Sequence, residues 1–156
     1  MARLVPRTAM RPIRHVLISL VLIFSGACAT LTTARQQGFS KTNQNQIDRG
    51  RYLVEEVAKC PECHTPRDAN FQLDRSRWLQ GASIWIEPVH QVVNWAEFAP
   101  PLAGLPSLTD QQARQVLEMG QGTNGMPIQP PMHVYHLAHS DAQAVIAYLR
   151  SLRPPR

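Results

Sequence analysis

Two cysteines and a histidine form the sequence Cys60-Pro61-Glu62-Cys63-His64, a C-x-x-C-H motif of the kind that attaches a c-type haem. Two thiols that lie one helical turn apart can each add to a vinyl group of the same porphyrin. The adjacent imidazole is then held beneath the iron as its proximal ligand. The motif therefore predicts one covalently bound haem c, with Cys60 and Cys63 as attachment points and His64 as an iron ligand.

A methionine in a Pro-rich loop after the motif can supply the second axial ligand. Met132 follows two prolines, and its thioether is a soft ligand that raises the potential of the iron couple. Met126 stands six residues earlier in a Gly-rich turn and is the alternative. Met119 ends a predicted helix and is expected in the core. We predict His64 and Met132 as the axial pair.

The same two cysteines permit a remote alternative, a structural zinc module. Its remaining ligands would be two of three nearby histidines: His133, His136 and His139. Cys-x2-Cys with His-x2-His suits tetrahedral zinc, but structural sites usually keep their halves closer together in sequence. A free dithiol also tends to oxidise in an exported chain. The histidines are otherwise expected in solvated loops or at a helix entry. A thioredoxin-like pair is disfavoured because no strand–helix–strand pattern surrounds Cys60.

Residues 1–29 have the composition of a targeting segment. Four arginines precede the apolar run Val16–Phe24, and the small residues of 25–29 follow. This arrangement is typical of a secretory signal peptide. The apolar run is well short of the roughly 20 residues that span a bilayer. We therefore expect export to the periplasm.

Two processing outcomes fit the end of that segment. Cleavage after Ala29 would remove Cys28, because Ala27-Cys28-Ala29 satisfies the small-x-small rule. Alternatively, Cys28 would be retained and acylated as in a bacterial lipoprotein, which would attach the protein to a membrane. Residues 30–46 are polar and are predicted to be a linker. Either outcome takes the third cysteine out of the folded domain, which we place at residues 47–153.

The charge of the chain follows the same division. The 156 residues carry a formal net charge of +5, with 16 basic and 11 acidic side chains. Four of the basic residues and none of the acidic ones lie in residues 1–29. The rest of the chain is nearly neutral, and haem propionates would lower its charge further. The sequence therefore gives no support for a nucleic-acid partner.

Three helices are predicted to surround the motif. Ile47, Gly50, Val54 and Val57 form the apolar stripe of the first, with Asn45 as its N-cap. A glycine inside a helix costs about 1 kcal/mol relative to alanine, so another helix is expected to approach closely at Gly50.

The second and third predicted helices begin at capping boxes. Thr109–Gln112 opens a helix that runs to Met119 and stops at Gly120, and Ser140–Gln143 opens the last one. The last helix places Val145, Ile146, Leu149 and Leu152 on one face. The intervening residues 67–99 carry all three tryptophans and receive no assignment.

From about Ile47 to Leu152 the chain resembles a class I c-type cytochrome of the bacterial monohaem kind. The resemblance is carried by the following stretches: Gly50-Arg51-Tyr52-Leu53-Val54, the C-x-x-C-H motif with Thr65-Pro66, Pro100-Pro101-Leu102-Ala103-Gly104, Pro131-Met132, and Val145-Ile146-Ala147-Tyr148-Leu149. It implies a mainly α domain of three to five helices around one haem, with long irregular loops. It also implies that the first and last helices cross at near right angles, with Gly50 facing Ala147-Tyr148.

The resemblance further implies two contacts at the haem. The Pro100 carbonyl accepts a hydrogen bond from His64 Nδ1–H, and Leu102 packs against the porphyrin face. Residues 67–99 depart from the compact family pattern. Four side chains in that segment are candidates for covering the haem edge or holding the propionates: Arg75, Arg77, Trp78 and Trp95.

The function that follows is electron transfer in the periplasm rather than catalysis. The sequence contains no activated nucleophile, catalytic carboxylate pair or phosphate-binding loop. The expected partners are redox proteins such as a dehydrogenase or a respiratory complex. The alternative is a haem-bearing subunit of a larger, membrane-associated dehydrogenase, in which residues 67–99 form a docking surface.

Overall fold

A computed structural model describes residues 43–155, which are mainly helical with long loops, as predicted. Helix α1 spans residues 43–52 and continues through a wider π-helical turn, Leu53–Val57. The other helices are α2 (Pro61–His64), α3 (Asp110–Met119) and α4 (His139–Ser151). Strands β1 (Ala82–Ser83) and β2 (Phe98–Ala99) pair antiparallel, and a 3-10 turn covers Arg75–Arg77.

The predicted signal peptide, Cys28 and linker residues 30–42 lie outside the described residues. Residues 43–46, which composition assigned to the linker, are helical. Asn45 is consequently inside α1, so its assignment as the N-cap is wrong. Within residues 43–155, no helix combines the length and the apolar composition needed to cross a membrane.

The apolar face of α1 differs from the predicted stripe at its end. Leu53 and Val54 are buried in the core, whereas Val57 is 56% exposed. Val57 is the last residue of the π-helical turn, whose wider repeat moves it off a 3.6-residue stripe. Cys60 N–H donates to Val54 O at 3.0 Å, so the first cysteine of the motif is hydrogen-bonded to the same π-helical turn.

The predicted close approach at Gly50 is confirmed. A Cβ atom at this position would lie 1.9 Å from the carbonyl oxygen of Ala144 and 2.8 Å from Tyr148 Cβ. The backbone of α4 therefore touches the backbone of α1, and no side chain fits between them. The contact includes Tyr148, as implied, and its closest atoms belong to Ala144, which precedes Ala147 by nearly one turn.

Helix α3 has the predicted boundaries. The Thr109 hydroxyl accepts from Gln112 N–H at 3.2 Å, and the Gln112 side chain accepts from Thr109 N–H at 2.9 Å. This reciprocal pair satisfies two amides at the helix start. Gly120 ends the helix with φ of 66°. Met119 is 51% exposed, so the expectation that it lies in the core is wrong.

Helix α4 begins at His139 instead of at a capping box on Ser140. Its N-cap, Ala138, has no side chain that can bond the first amides. Asp141, in the first turn, forms two 3.0 Å hydrogen bonds with the Arg49 guanidinium of α1. A negative charge at a helix start is also favourable for the helix dipole. The ion pair therefore fixes the start of α4 against α1, and the capping box that the sequence indicated does not form.

A second polar contact joins α1 to α4. The Tyr148 side chain is buried in the core, and its hydroxyl donates to the Glu55 carboxylate. Burial, followed by this hydrogen bond, raises the pKa of Tyr148 to about 12. The apolar face of α4 packs around it: Val145, Ile146 and Leu149 are buried, and Leu152 is partly buried, as predicted.

We expect Gly50→Ala to destabilise the holoprotein by more than about 2 kcal/mol, because the new methyl group overlaps the Ala144 carbonyl. Asn45→Ala is the control, since Asn45 is exposed on the same helix. The control should change the free energy of unfolding by less than about 0.5 kcal/mol. Denaturant unfolding of both variants measures this. Equal stability of the two variants would contradict the close contact of α1 with α4.

The Tyr148 hydroxyl makes stability depend on alkaline pH. Its folded-state pKa of about 12 lies above the ordinary value of 10, so its contribution is complete below pH 10. That contribution is lost as pH rises from 10 towards 12. We expect Tyr148→Phe to weaken the fold at neutral pH and to show a shallower loss of stability over this interval. Unfolding curves that decline in parallel for both proteins would contradict this.

Candidate functional site

The chain reverses direction between α1 and α2, and this turn presents the motif. Lys59 adopts a left-handed backbone conformation, with φ of 52°. Pro61 stands in the first turn of α2, where its missing N–H costs nothing. His64 N–H donates to Cys60 O at 3.0 Å. Cys60, Cys63 and His64 therefore lie on a single helical turn, as the spacing of the motif requires.

His64 has a fixed orientation in a dry environment. It is 5% exposed, and its Nδ1 donates to Pro100 O at 2.7 Å, as the resemblance implied. Burial lowers the pKa of His64, although the Pro100 hydrogen bond acts in the opposite direction. The imidazole is therefore neutral, with its proton on Nδ1. Nε2 is left with the lone pair that a metal requires.

The motif faces a cavity of about 910 Å³, which falls within the range of about 300–1,000 Å³ usual for cofactor pockets. Cys60, Cys63 and His64 line one part of it, and Met126 and Met132 also line it. Most of the remaining lining is apolar, including Leu102, Leu108, Val116 and Ile128. Both thiols are free, and burial raises the pKa of Cys60 to about 11. This donor set and apolar volume fit a haem c.

Both candidate sulfur ligands reach the cavity, but they are held differently. Met126 is 61% exposed, and its amide bonds locally to the side chain of Asn124 at 3.0 Å. Met132 is half-buried. Its loop is fixed from outside, because Ala96 N–H donates to Pro130 O at 2.7 Å. A contact with a distant segment therefore holds the predicted ligand in place.

The zinc alternative does not assemble. Among residues 43–155, no group of three or more cysteine, histidine or carboxylate side chains is placed to hold a metal ion. His133 lines the cavity, but His139 Nδ1 bonds to Glu118 Oε1 at 2.9 Å. His136 Nδ1 bonds to the backbone oxygen of Glu118 at 3.3 Å. His136 and His139 are thus engaged by α3, in the loop and helix-entry positions expected from sequence.

Residues 67–99 contribute to the cavity with side chains that sequence reasoning missed. None of the four candidates named in that segment lines the cavity: Arg75, Arg77, Trp78 and Trp95. Arg75 stacks on Trp78 at 4.0 Å, and Arg77 pairs with Asp74 at 2.7 Å. The lining residues are instead Ile84, Val93, Asn94, Ala96, Phe98 and Ala99. The β1–β2 pairing places them there, and it has no periodic signature in the sequence.

A chain of hydrogen bonds positions Pro100 against His64. Thr65 is 1% exposed, and its hydroxyl accepts from Leu79 N–H at 3.0 Å. Leu79 O then accepts from Leu102 N–H at 2.8 Å. Leu102 lines the cavity, as the resemblance implied for a residue on the porphyrin face. Thr65 therefore holds Leu79, and Leu79 in turn holds Leu102, two residues after Pro100.

Helix α4 secures the next part of that loop. The Arg150 guanidinium donates to Gly104 O at 2.8 Å, Leu105 O at 3.1 Å and Leu108 O at 2.7 Å. It also bonds to Asp110 at 2.9 Å. One side chain thus satisfies three loop carbonyls and the first residue of α3. Leu108, which lines the cavity, is held by this contact.

Comparisons with known proteins agree with this site. A sequence model of the cytochrome c family, described as "Cytochrome c", matches residues 47–153. The chain belongs to the cytochrome c family. Members of this family bind haem c covalently and transfer electrons.

Three relatives are similar to parts of the chain. The fructose dehydrogenase cytochrome subunit of Gluconobacter japonicus is 33% identical over 119 residues, which are 73% of this chain and 24% of that protein. The gluconate 2-dehydrogenase cytochrome c subunit of Pantoea cypripedii is 29% identical over 115 residues, 68% of this chain and 26% of that protein. A diheme cytochrome c-type protein of Cereibacter sphaeroides is 59% identical over 34 residues, 22% of this chain and 12% of that protein. The chain spans about a quarter of the length of the two dehydrogenase subunits.

We expect Thr65→Val to cost about 1–3 kcal/mol, because it leaves the buried Leu79 amide without an acceptor while preserving side-chain shape. Thr65→Ser retains the oxygen and is the matched control. Thermal unfolding of the holoproteins measures the difference. If the valine variant were as stable as the serine variant, the hydroxyl would have no role in holding the Pro100 loop.

Proposed function

We propose that this protein is a periplasmic monohaem electron carrier, with thioether bonds at Cys60 and Cys63 and axial ligation by His64 and Met132. The observation that carries the proposal is the orientation of the His64 imidazole. Its Nδ1 proton is committed to Pro100, while the ring lines the same apolar cavity as both thiols. When bound there, the haem supplies a one-electron ferric–ferrous couple.

The residues of the cavity set the properties of that couple. Burial keeps His64 neutral, and the Pro100 hydrogen bond orients the ring so that Nε2 can donate to the iron. The Met132 thioether favours the reduced iron and raises the potential. The apolar lining excludes water, which disfavours the extra positive charge of the oxidised state. A haem held by both His64 and Met132 would have no coordination position open to oxygen or peroxide.

A single haem is supported by the cysteine count. The chain has three cysteines, and only Cys60 and Cys63 occur in a C-x-x-C-H motif. Cys28 lies in the segment with the composition of a signal peptide.

The alternative function, a haem-bearing subunit of a dehydrogenase complex, is favoured by the relatives. Two of them are cytochrome subunits of sugar or sugar-acid dehydrogenases. A lipid on Cys28 would place such a subunit at the membrane. Size-exclusion chromatography of the native protein, solubilised from its source membrane, tests this. A stable heteromer with dehydrogenase activity supports the subunit, whereas a lone haem protein supports the mobile carrier.

The mass of the intact mature protein tests the proposed function most broadly. We expect the mass of the processed chain plus one haem, and a pyridine haemochrome spectrum with a c-type α-band. A chain cleaved after Ala29 contains no Cys28, whereas a lipoprotein shows added acyl mass. A mature protein without haem would contradict the electron-carrier proposal.

We expect Met132→Ala to abolish the methionine–iron charge-transfer band at the red end of the ferric spectrum. Met126→Ala is the matched variant, since Met126 lines the same cavity and is 61% exposed. It should leave the band in place. The opposite pattern would assign the sixth position to Met126.

A further inference from the structure

Arg67 follows the C-x-x-C-H motif by three residues and folds back onto it. Its Nη2 atom donates to the Glu62 carboxylate at 2.7 Å, and its Nη1 atom donates to Phe71 O at 3.0 Å. Glu62 lies inside the motif, directly before Cys63. Burial raises the pKa of the Cys63 thiol, Glu62 adds to the rise and Arg67 opposes it. An arginine–carboxylate pair therefore adjoins one of the two proposed points of haem attachment, and both charges act there.

Two aromatic rings lie against the Arg67 guanidinium. The ring centroids of Phe71 and Trp85 are 4.7 Å and 4.9 Å from Arg67 Cζ, and the two rings meet edge to face at 5.4 Å. The Trp85 indole N–H also donates to Glu62 O at 3.4 Å, which joins this ring to the backbone of the motif. An aromatic ring attracts a cation through its electron-rich face. Residues 67–99, which sequence patterns left unassigned, thus supply the surroundings of the pair.

Arg67 is withdrawn from water further than the other ion-paired arginines in the described part of the chain. Its side chain is 17% exposed, whereas the other four are between 39% and 52% exposed: Arg49, Arg51, Arg77 and Arg150. The Arg67 Nε atom is buried and has no hydrogen-bond partner among residues 43–155. A charge away from water acts more strongly on its neighbours and is screened less by salt.

We propose that Arg67 and Glu62 tune the reduction potential of the haem, with Arg67 raising it and Glu62 lowering it. The inference rests on the proposed electron-carrier function. Oxidation of the iron adds one positive charge, so a nearby cation disfavours the ferric state and a nearby anion favours it. Neither residue lines the cavity, so both act through charge and not through contact. The rival explanation is that Arg67 only closes its own loop, through Phe71 O.

Removing the two charges one at a time should shift the potential in opposite directions. Arg67→Met keeps a long apolar side chain without the cation. It should lower the potential by at least about 28 mV, which corresponds to a change of about threefold in the ferric–ferrous equilibrium. Glu62→Gln preserves the shape of the side chain and should raise the potential. The double variant should return it towards the wild-type value. Spectroelectrochemical titration of the purified holoproteins measures these potentials.

Two further variants separate charge from structure. Arg67→Lys retains the cation and should keep the potential closer to the wild-type value than Arg67→Met does. Arg77→Met is the matched control, because Arg77 also pairs with a carboxylate, that of Asp74, at 2.7 Å but is 52% exposed. The control should change the ferric–ferrous equilibrium by less than about 1.5-fold, because water screens an exposed charge. The Arg67→Met shift should persist at an ionic strength of about 1 M, since salt screens a buried charge much less.

Shifts of the same sign in Arg67→Met and Glu62→Gln would overturn the proposal, because a loosened loop does not distinguish which charge was removed. An Arg67→Met shift no larger than that of Arg77→Met would also overturn it. If Arg67→Met does not fold, Glu62→Gln decides alone, since glutamine can still accept a hydrogen bond from Arg67. A lowered or unchanged potential in that variant would then overturn the proposal.

The methionine–iron charge-transfer band of each ferric protein is recorded beside its potential. A wild-type holoprotein without this band would contradict ligation by Met132, whereas the signs of the two shifts would still decide the role of the charge pair. A wild-type holoprotein without a reversible ferric–ferrous couple would contradict the electron-carrier function, and the tuning role with it.

Discussion

The hydrogen bond from His64 Nδ1 to Pro100 O is the constraint on which the rest of the site depends. An imidazole offers two nitrogens, and only one orientation presents Nε2 to a metal. At 2.7 Å, the bond fixes both the ring and its tautomer. It joins residues 36 positions apart, so the intervening chain must return to the motif. The Thr65–Leu79 and Leu79–Leu102 hydrogen bonds achieve this return in a segment with little regular structure.

The motif is in turn held by the packing of α1 against α4. Gly50 allows backbone contact between the helices, and Arg49–Asp141 and Glu55–Tyr148 join them on either side. Side chains of α4 also hold the loop beyond Leu102 through Arg150. Helix α4 therefore supports the cavity in two places, behind the motif and at the loop beyond Leu102. Because helix α4 holds the loop beyond Leu102, that loop can line the cavity without being stable on its own.

Sequence patterns predicted those parts of the fold that local chemistry determines. The C-x-x-C-H turn, the Thr109 capping box and the close approach at Gly50 each follow from residue type and spacing. The start of α4 did not follow, because the Gln143 side chain, which was to complete a capping box with Ser140, lies 3.0 Å from His139 Nε2 instead. The exposure of Val57 depends on a π-helical turn that residue periodicity does not reveal.

The cavity wall formed by residues 84–99 escaped prediction for a related reason. Ile84 N–H pairs with Glu97 O across a two-residue sheet, and Ala96 N–H bonds to the Met132 loop. Such pairings between distant irregular segments leave no periodic signal. Tryptophan and arginine residues were natural candidates by type, yet they stack or pair among themselves, as Arg75 does on Trp78.

The central claim is that His64 and Met132 ligate one haem in this cavity. The most direct measurement is an NMR spectrum of the reduced holoprotein labelled with 13C at its methionine methyl groups. The account predicts one methyl resonance shifted far upfield by the porphyrin ring current, assigned to Met132, with the Met119 and Met126 methyls near ordinary positions. A spectrum without such a resonance, or its assignment to Met126, would contradict the account.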